Sequence, residues 1–437
     1  MKVMEFRHSP FSLISNSESH AVALSLRSYL ERLRLIEQDE KYATLESSLR
    51  LPQDTEILRK CQELVKQLAG LGLKYVVILG VGGSNLGAKA IYDAIYGNFD
   101  ALQTRRYPRA IFLESLSGAY FEKALQTIHA QVRHPAELLV VVVSKSGATL
   151  ETMAQAEVLY DQLRVSFPAI RERIVVVTDK DSPLARVAGD TGMHTLLIPR
   201  KVGGRFSVFS AAGLFPLSAL GHDISALTNG AASALRSGLG ENCLESAPVL
   251  LATLLYAHYG RGSRIFNMFL FNPELASLGA WCRQLIAESL GKEENIYGKQ
   301  INAGLIPLVS LGSADLHSMA QLYLGGPRQM FTLFLKDKHL GDIKIGGKLF
   351  PGAVYSGHTT SEIDQATYEA TLDAYTRAKL PFAEIKLSDL SEKSLGKFMQ
   401  SMMLTVMLLG KLLRVNAFDQ PAVEGYKLKT RSILEKG

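Results

Sequence analysis

Cysteine is scarce: Cys61, Cys243 and Cys282 are the only three in 437 residues. An odd count argues against a disulfide framework, and their wide spacing offers no metal-binding pair. A reduced, cytoplasmic setting is therefore expected. Long apolar runs are also missing. The most membrane-like stretch, residues 401–410, lies between Lys397 and Lys411. A spanning helix needs about 20 apolar residues, so this stretch is expected to be a buried helix, with no membrane partner. The opening residues, Met1 to Pro10, hold no apolar segment of a secretory signal. Nor is there a long basic run. The formal charge is +6, but 48 Lys and Arg interleave with 42 Asp and Glu. No nucleic-acid partner is indicated, and the modest surplus suits a small anion. What the chain does have is apolar bulk. At 47% hydrophobic it can build two cores, since single domains rarely exceed about 250–300 residues.

Two stretches carry a common pattern. Leu138-Leu139-Val140-Val141-Val142-Val143 reads as a strand buried on both faces. It breaks into Ser144-Lys145-Ser146-Gly147-Ala148-Thr149, and helix-forming residues follow from Glu151. Small hydroxyl residues at a helix N-terminus, where backbone N–H groups are free, suit a phosphate. The alternative is a tight turn with a Ser/Thr cap. The second stretch, residues 74–79, is another buried-strand run, followed by Gly80-Val81-Gly82-Gly83-Ser84-Asn85-Leu86-Gly87. Its spacing fits neither a dinucleotide fingerprint nor a Walker loop. Two such loops in one α/β sheet point to a small phosphorylated ligand at the carboxyl edge of the strands.

Five further stretches complete an ordered set. They are residues 202–207 (Val-Gly-Gly-Arg-Phe-Ser), Gln284 with Glu288 to Lys292, residues 312–318 (Gly-Ser-Ala-Asp-Leu-His-Ser), Phe418-Asp419-Gln420, and Val423 to Lys427. Taken together with the two loops, they resemble the glucose-6-phosphate isomerase family of the sugar isomerase fold. The resemblance spans roughly Lys74 to Lys427. It implies two sugar-isomerase-type α/β domains, each a largely parallel sheet flanked by helices in three layers. The expected division is a helical N-terminal arm (1–54), a first domain (55–215), a second (216–410) and a C-terminal tail (411–437). Strands are expected at 74–79, 110–114, 138–143, 173–178 and 194–198, then at 264–270, 305–311, 330–335 and 382–387. Both Gly83-Ser84-Asn85-Leu86 and Gly312-Ser313-Ala314-Asp315-Leu316 follow apolar strands, a faint echo that fits a duplicated domain.

Glu288 is the leading candidate for chemistry. On a helix from about Pro273 to Leu290 it shares a mostly apolar face with Trp281, Gln284 and Leu285. A carboxylate disfavoured there by desolvation and the helix dipole suits a general base; the alternative is a rim Glu paired with Lys292 or Arg283. Arg205, after two glycines, is either a surface charge or a guanidinium placed to meet a developing oxyanion. His317, in the first turn of a helix if Ser313 caps it, and Lys427, on a basic tail, read from the residues alone as ordinary side chains. The resemblance gives them roles. Glu288 matches the proton-transfer base; His317 and Lys427 match the groups that open the sugar ring, His317 by reaching across a homodimer interface. Gln284 and Gln420 match substrate contacts, and Gly83, Ser84, Ser144, Lys145, Ser146 and Thr149 match the phosphate site. Neither a metal nor an organic cofactor is implied. One departure stands out: Ala148 occupies a position where the family commonly has Thr. The rival readings are another sugar-phosphate isomerase, including the isomerase half of a glucosamine-6-phosphate synthase, and a non-catalytic sugar-phosphate sensor.

Overall fold

The computed structural model describes residues 3–70, 72–338 and 341–436. Its strands, in chain order, are β1 (Met4–Arg7), β2 (Tyr75–Leu79), β3 (Arg109–Leu113), β4 (Leu138–Val143), β5 (Ile174–Thr178), β6 (His194–Leu197), β7 (Ile265–Leu270), β8 (Lys292–Glu294), β9 (Gln300–Ala303), β10 (Ile306–Leu311), β11 (Met330–Asp337) and β12 (Phe382–Leu387). Every strand expected from the sequence is present to within two residues at either end. The first sheet has the order β3-β2-β4-β5-β6 and is parallel throughout. The second has the order β1-β12-β11-β7-β10 and is parallel except at β1.

Continuous apolar runs form these strands because both faces are covered. In the first sheet Val76, Ile78, Val141 and Val143 point into a core shared with the rest of the molecule. Val77, Leu79, Val140 and Val142 point the other way, onto Phe121, Ile128, Leu159 and Leu163 of the outer helices. The second sheet repeats the arrangement. Phe266, Met268 and Leu270 join the shared core, while Phe269, Phe334 and Phe382 form an aromatic cluster with Tyr368 and Tyr375. The helix Glu392–Leu413 contains the run 401–410 and is buried at every residue from Phe398 to Gly410, as expected. Among the described residues no helix is long and apolar enough to cross a membrane.

Two expectations need correction. Residues 4–7, assigned to the helical arm, are strand β1, paired antiparallel with β12. The duplication is real in topology, since reading outward from β2 and from β7 gives the same strand order. The Gly-Ser echo, however, does not mark it: Gly83-Ser84 follows β2, the first strand of its sheet in the chain, whereas Gly312-Ser313 follows β10, the second parallel strand of the other.

Candidate active site

In the first sheet the chain leaves β2 toward β3 on one side and returns to β4 on the other. The crevice beyond the carboxyl ends of β2 and β4 is thus a topological switch point, the usual ligand position in such sheets. Both hydroxyl-bearing loops open there. Ser144 Oγ donates to Thr149 Oγ1 at 3.0 Å, and the Ser146 hydroxyl accepts from the Ala148 N–H at 3.2 Å. Thr149 is the N-cap of the helix Leu150–Ser166, yet its side chain caps no backbone N–H. The amino-terminal N–H groups of that helix therefore lack the usual hydroxyl partner. Gly147 has a φ of +61°, and a Cβ there would lie 2.8 Å from the Leu184 backbone nitrogen, so the loop needs glycine. Lys145 is held below the ordinary lysine range by burial, with Asp179 opposing that shift and Arg200 and Lys201 adding to it. The loop is a compact, electropositive cradle.

Next to it, two loops of the first unit pack on each other almost without side chains, and one of them meets the second unit. A Cβ on Gly83 would fall 2.3 Å from the Gly204 carbonyl carbon and 2.4 Å from the Arg205 nitrogen. On Gly82, where φ is +60°, it would fall 2.8 Å from Gln284 Nε2. Gly83 is thus required by close backbone packing. Arg205 is buried, contrary to the surface alternative, and all its donor nitrogens are engaged. Nε reaches Ser289 Oγ at 2.7 Å, and one terminal nitrogen reaches Gln420 Oε1 at 2.5 Å and Glu288 Oε2 at 3.4 Å. The other reaches the carbonyls of Ala417 at 2.7 Å and Asp419 at 3.1 Å. Burial depresses its pKa, with Glu288 and Asp419 opposing.

Glu288 lies near the end of the helix Ala276–Leu290, which a short turn at Pro273–Leu275 precedes. Its carboxylate also accepts from Gln284 Nε2 at 3.1 Å. The side chain remains 36% exposed, so the desolvation expected from the apolar face is only partial. Lys292 does not pair with this carboxylate, as the rim alternative required: its ammonium donates to the Glu288 backbone carbonyl at 2.6 Å. The expected site includes neither Lys292 and Ser289 nor the carbonyls of residues 417 and 419. Backbone acceptors have no sequence signature, so only the proximity of the motifs hints at them.

Lys427 lies on the helix Glu424–Leu434, which has no buried residue, and pairs with Glu424 at 2.8 Å. That helix touches the cradle through Arg431, which donates to the Ala148 carbonyl at 3.1 Å. Residue 148 therefore contributes backbone atoms here, and its missing hydroxyl breaks none of these contacts. His317 is apart from the rest. It ends the short turn Ala314–Leu316 rather than opening a helix, is exposed, and has no side-chain partner among the described residues. Gly312 is level with Leu270 at the carboxyl edge of the second sheet, through a 2.8 Å hydrogen bond. The helix Ala276–Leu290 starts just beyond that edge, so Glu288 lies about 18 Å along its axis from its first residue.

Comparison with known proteins identifies the family. The sequence profile of phosphoglucose isomerase matches residues 53–436. The chain belongs to the phosphoglucose isomerase family. It is 36% identical to a glucose-6-phosphate isomerase of Rubrobacter xylanophilus over 390 residues, 87% of either chain. Against a glucose-6-phosphate isomerase of Thermus thermophilus it is 33% identical over 408 residues, 92% of this chain and 94% of the relative. Among solved structures, a hypothetical protein of Thermus thermophilus superposes with a TM-score of 0.85 at 30% identity, covering 99% of both chains. A glucose-6-phosphate isomerase of Chlamydia trachomatis gives 0.82 at 21% identity, over 99% of this chain and 89% of that one, and so speaks to the fold.

Proposed function

We propose that this protein interconverts glucose-6-phosphate and fructose-6-phosphate by aldose–ketose isomerisation, a step common to glycolysis and gluconeogenesis. The observation that carries this reading is the meeting of an anion cradle with an accessible carboxylate and a buried guanidinium in one crevice. Ser84, Ser144, Lys145, Ser146 and Thr149 hold the phosphate. His317 and Lys427 move protons at the ring oxygen and the anomeric hydroxyl to open the sugar. Glu288 takes the C2 proton, leaving a cis-enediolate, and returns it to C1. Arg205 meets the enediolate oxygen by exchanging its contact with Gln420 or Glu288, because it has no spare donor. A preorganised donor of this kind lowers the barrier where charge develops.

The protein acts as a cytoplasmic homodimer in this reading, with His317 completing the partner's site. Its distance from Glu288 within one chain supports the exchange. So does exposed apolar surface elsewhere on the second unit. Edge strand β10 exposes Ile306, and the segment before the helix Thr360–Arg377 exposes Leu349 at 81% and Val354 at 91%. Apolar side chains this exposed in a continuous segment suit a protein interface. Three buried free thiols fit a reducing compartment. A coupled assay following fructose-6-phosphate to glucose-6-phosphate tests the activity, and Glu288→Gln is expected to lose at least ~10²-fold in kcat. No conversion by the wild type, or full activity in this variant, would refute the assignment.

A further inference from the structure

We infer that Lys292 is a positioning residue of this site, fixing the backbone of the base Glu288 against the segment that carries Gln420. Its ammonium donates to the Glu288 carbonyl at 2.6 Å and to the Asp419 carbonyl at 2.8 Å, with Asp419 Oδ1 at 3.5 Å. The side chain is 5% exposed. Glu288 lies in the last turn of its helix, where carbonyls have no intrahelical partner. The chain turns away at Gly291 into β8, and Lys292, its first residue, reaches back to satisfy that carbonyl. A cation at a helix C-terminus also opposes the dipole that would otherwise repel a carboxylate there.

Arg205 makes the parallel connection. It holds Ser289, next to Glu288, and meets Lys292 on the same Asp419 carbonyl. Two buried cations therefore tie one helix end to one loop. Burial and the nearby Arg205 both depress the Lys292 pKa. Apolar packing would serve better in a joint meant for stability alone, since buried charges carry a desolvation cost. What the pair provides is a fixed geometry at the carboxylate, where a displacement of about 1 Å can cost ~10² in rate.

This inference rests on the isomerase reading and concerns the reacting end of the sugar, not the phosphate. In Lys292→Met, kcat for fructose-6-phosphate is expected to fall about 10- to 10²-fold, a loss of orientation. KM and the inhibition constant of inorganic phosphate should stay within about two-fold, because the cradle is on the first sheet and is untouched. Amide exchange across residues 415–421 should quicken in the same variant while the cradle loop is unchanged. Lys292→Gln, which keeps N–H donors without the charge, serves if the Met variant fails to fold, and an intermediate kcat is expected. Unchanged kcat in a folded variant, or KM and the phosphate constant rising with the loss, would overturn the assignment. A wild type that does not isomerise fructose-6-phosphate would sink the functional reading instead. In that case unchanged exchange at residues 415–421 in Lys292→Met would independently refute the clamp.

Discussion

If each site combines Glu288 of one chain with His317 of the other, two inactive homodimers can rescue one another. Glu288→Gln keeps its own His317, and His317→Ala keeps its own Glu288. In a mixed dimer one site holds both defects, and the other holds Glu288 from one chain and His317 from its partner, both intact. Random exchange of equal amounts makes about half the dimers mixed, so roughly a quarter of all sites should work, given two-fold symmetry. The geometry makes the outcome sharp. The helix Ala276–Leu290 starts just beyond the carboxyl end of β7, the sheet edge that His317 follows from β10, and carries Glu288 about 18 Å along its axis from its first residue. The assay is the coupled conversion of fructose-6-phosphate, run before and after subunit exchange, with mixed dimers verified by differential tags. Recovery near a quarter of the wild-type rate is expected. Verified exchange with no recovery would mean that His317 acts in its own chain or has no role, and the trans arrangement would fall.

Four more tests probe separate parts of the molecule. Ser144→Ala with Thr149→Ala removes a hydroxyl pair that is mutually bonded at 3.0 Å, so neither partner is left orphaned. KM for fructose-6-phosphate should rise about 10²-fold, from two lost bonds to a charged group, and unchanged phosphate affinity would contradict the cradle. Gly83→Ala forces a Cβ to within 2.4 Å of the Arg205 nitrogen; a cost of about 1–3 kcal/mol and a lower kcat are expected, and wild-type values of both Tm and kcat would argue against the tight joint. Activity should survive EDTA, because proton transfer next to a carbonyl needs no Lewis acid and the described residues hold no cluster of three His, Cys, Asp or Glu side chains suited to a metal; loss restored by one divalent ion would contradict this. The hydrogen bond from His222 at 3.1 Å holds the Glu392 carboxyl below its usual range. Its stabilisation is present above the ordinary pKa of about 4.3 and is lost as pH falls through the depressed value. The Tm advantage over Glu392→Gln, about 1–2 °C near neutrality by size scaling, should therefore close below about pH 4; a gap that persists there would exclude this carboxylate as its source.

How much can be read from the chain varies with the physical cause. The runs at 75–79 and 138–143 are legible because a strand buried on both faces has only one solution, apolar at every position. Strand β1, Met-Glu-Phe-Arg, is a four-residue edge with only Met4 buried, so its pattern resembles ordinary surface chain. The hairpin of β8 and β9 opens on Lys-Glu-Glu and is equally hidden. In the site, the motifs name the side chains but not their company. The motif around Arg205 suggests a guanidinium free for an oxyanion, yet each of its donor nitrogens already has a partner, mostly carbonyl oxygens. Lys292 is visible four residues after Glu288, a spacing that suggests a side-chain ion pair on a continuing helix. The helix ends at Leu290, and the same spacing delivers the ammonium to a carbonyl instead.

The position of the crevice follows from how the two sheets meet. The cradle stands at the carboxyl edge of the first sheet, while Glu288 comes from the far end of a helix that starts at the carboxyl edge of the second. The two units therefore face each other head to tail, which brings the hydroxyl-bearing loops and Glu288 to the same side and leaves the second unit's own carboxyl edge, with His317, pointing elsewhere. Contact this close leaves no room for a side chain at Gly82, where a Cβ would fall 2.8 Å from Gln284 Nε2, and within the first unit Gly83 packs as tightly on Gly204 and Arg205. Their bare backbone lets Arg205 enter beneath the loop and span from Ser289 to Gln420. A side chain at residue 83 would force its loop away from Gly204 and Arg205, and so from the guanidinium that is bonded to Glu288. Glycine packing thus brings the loop after β2 against Arg205 and Gln284, and the polar groups around Glu288 sit within a spacing that they do not themselves determine.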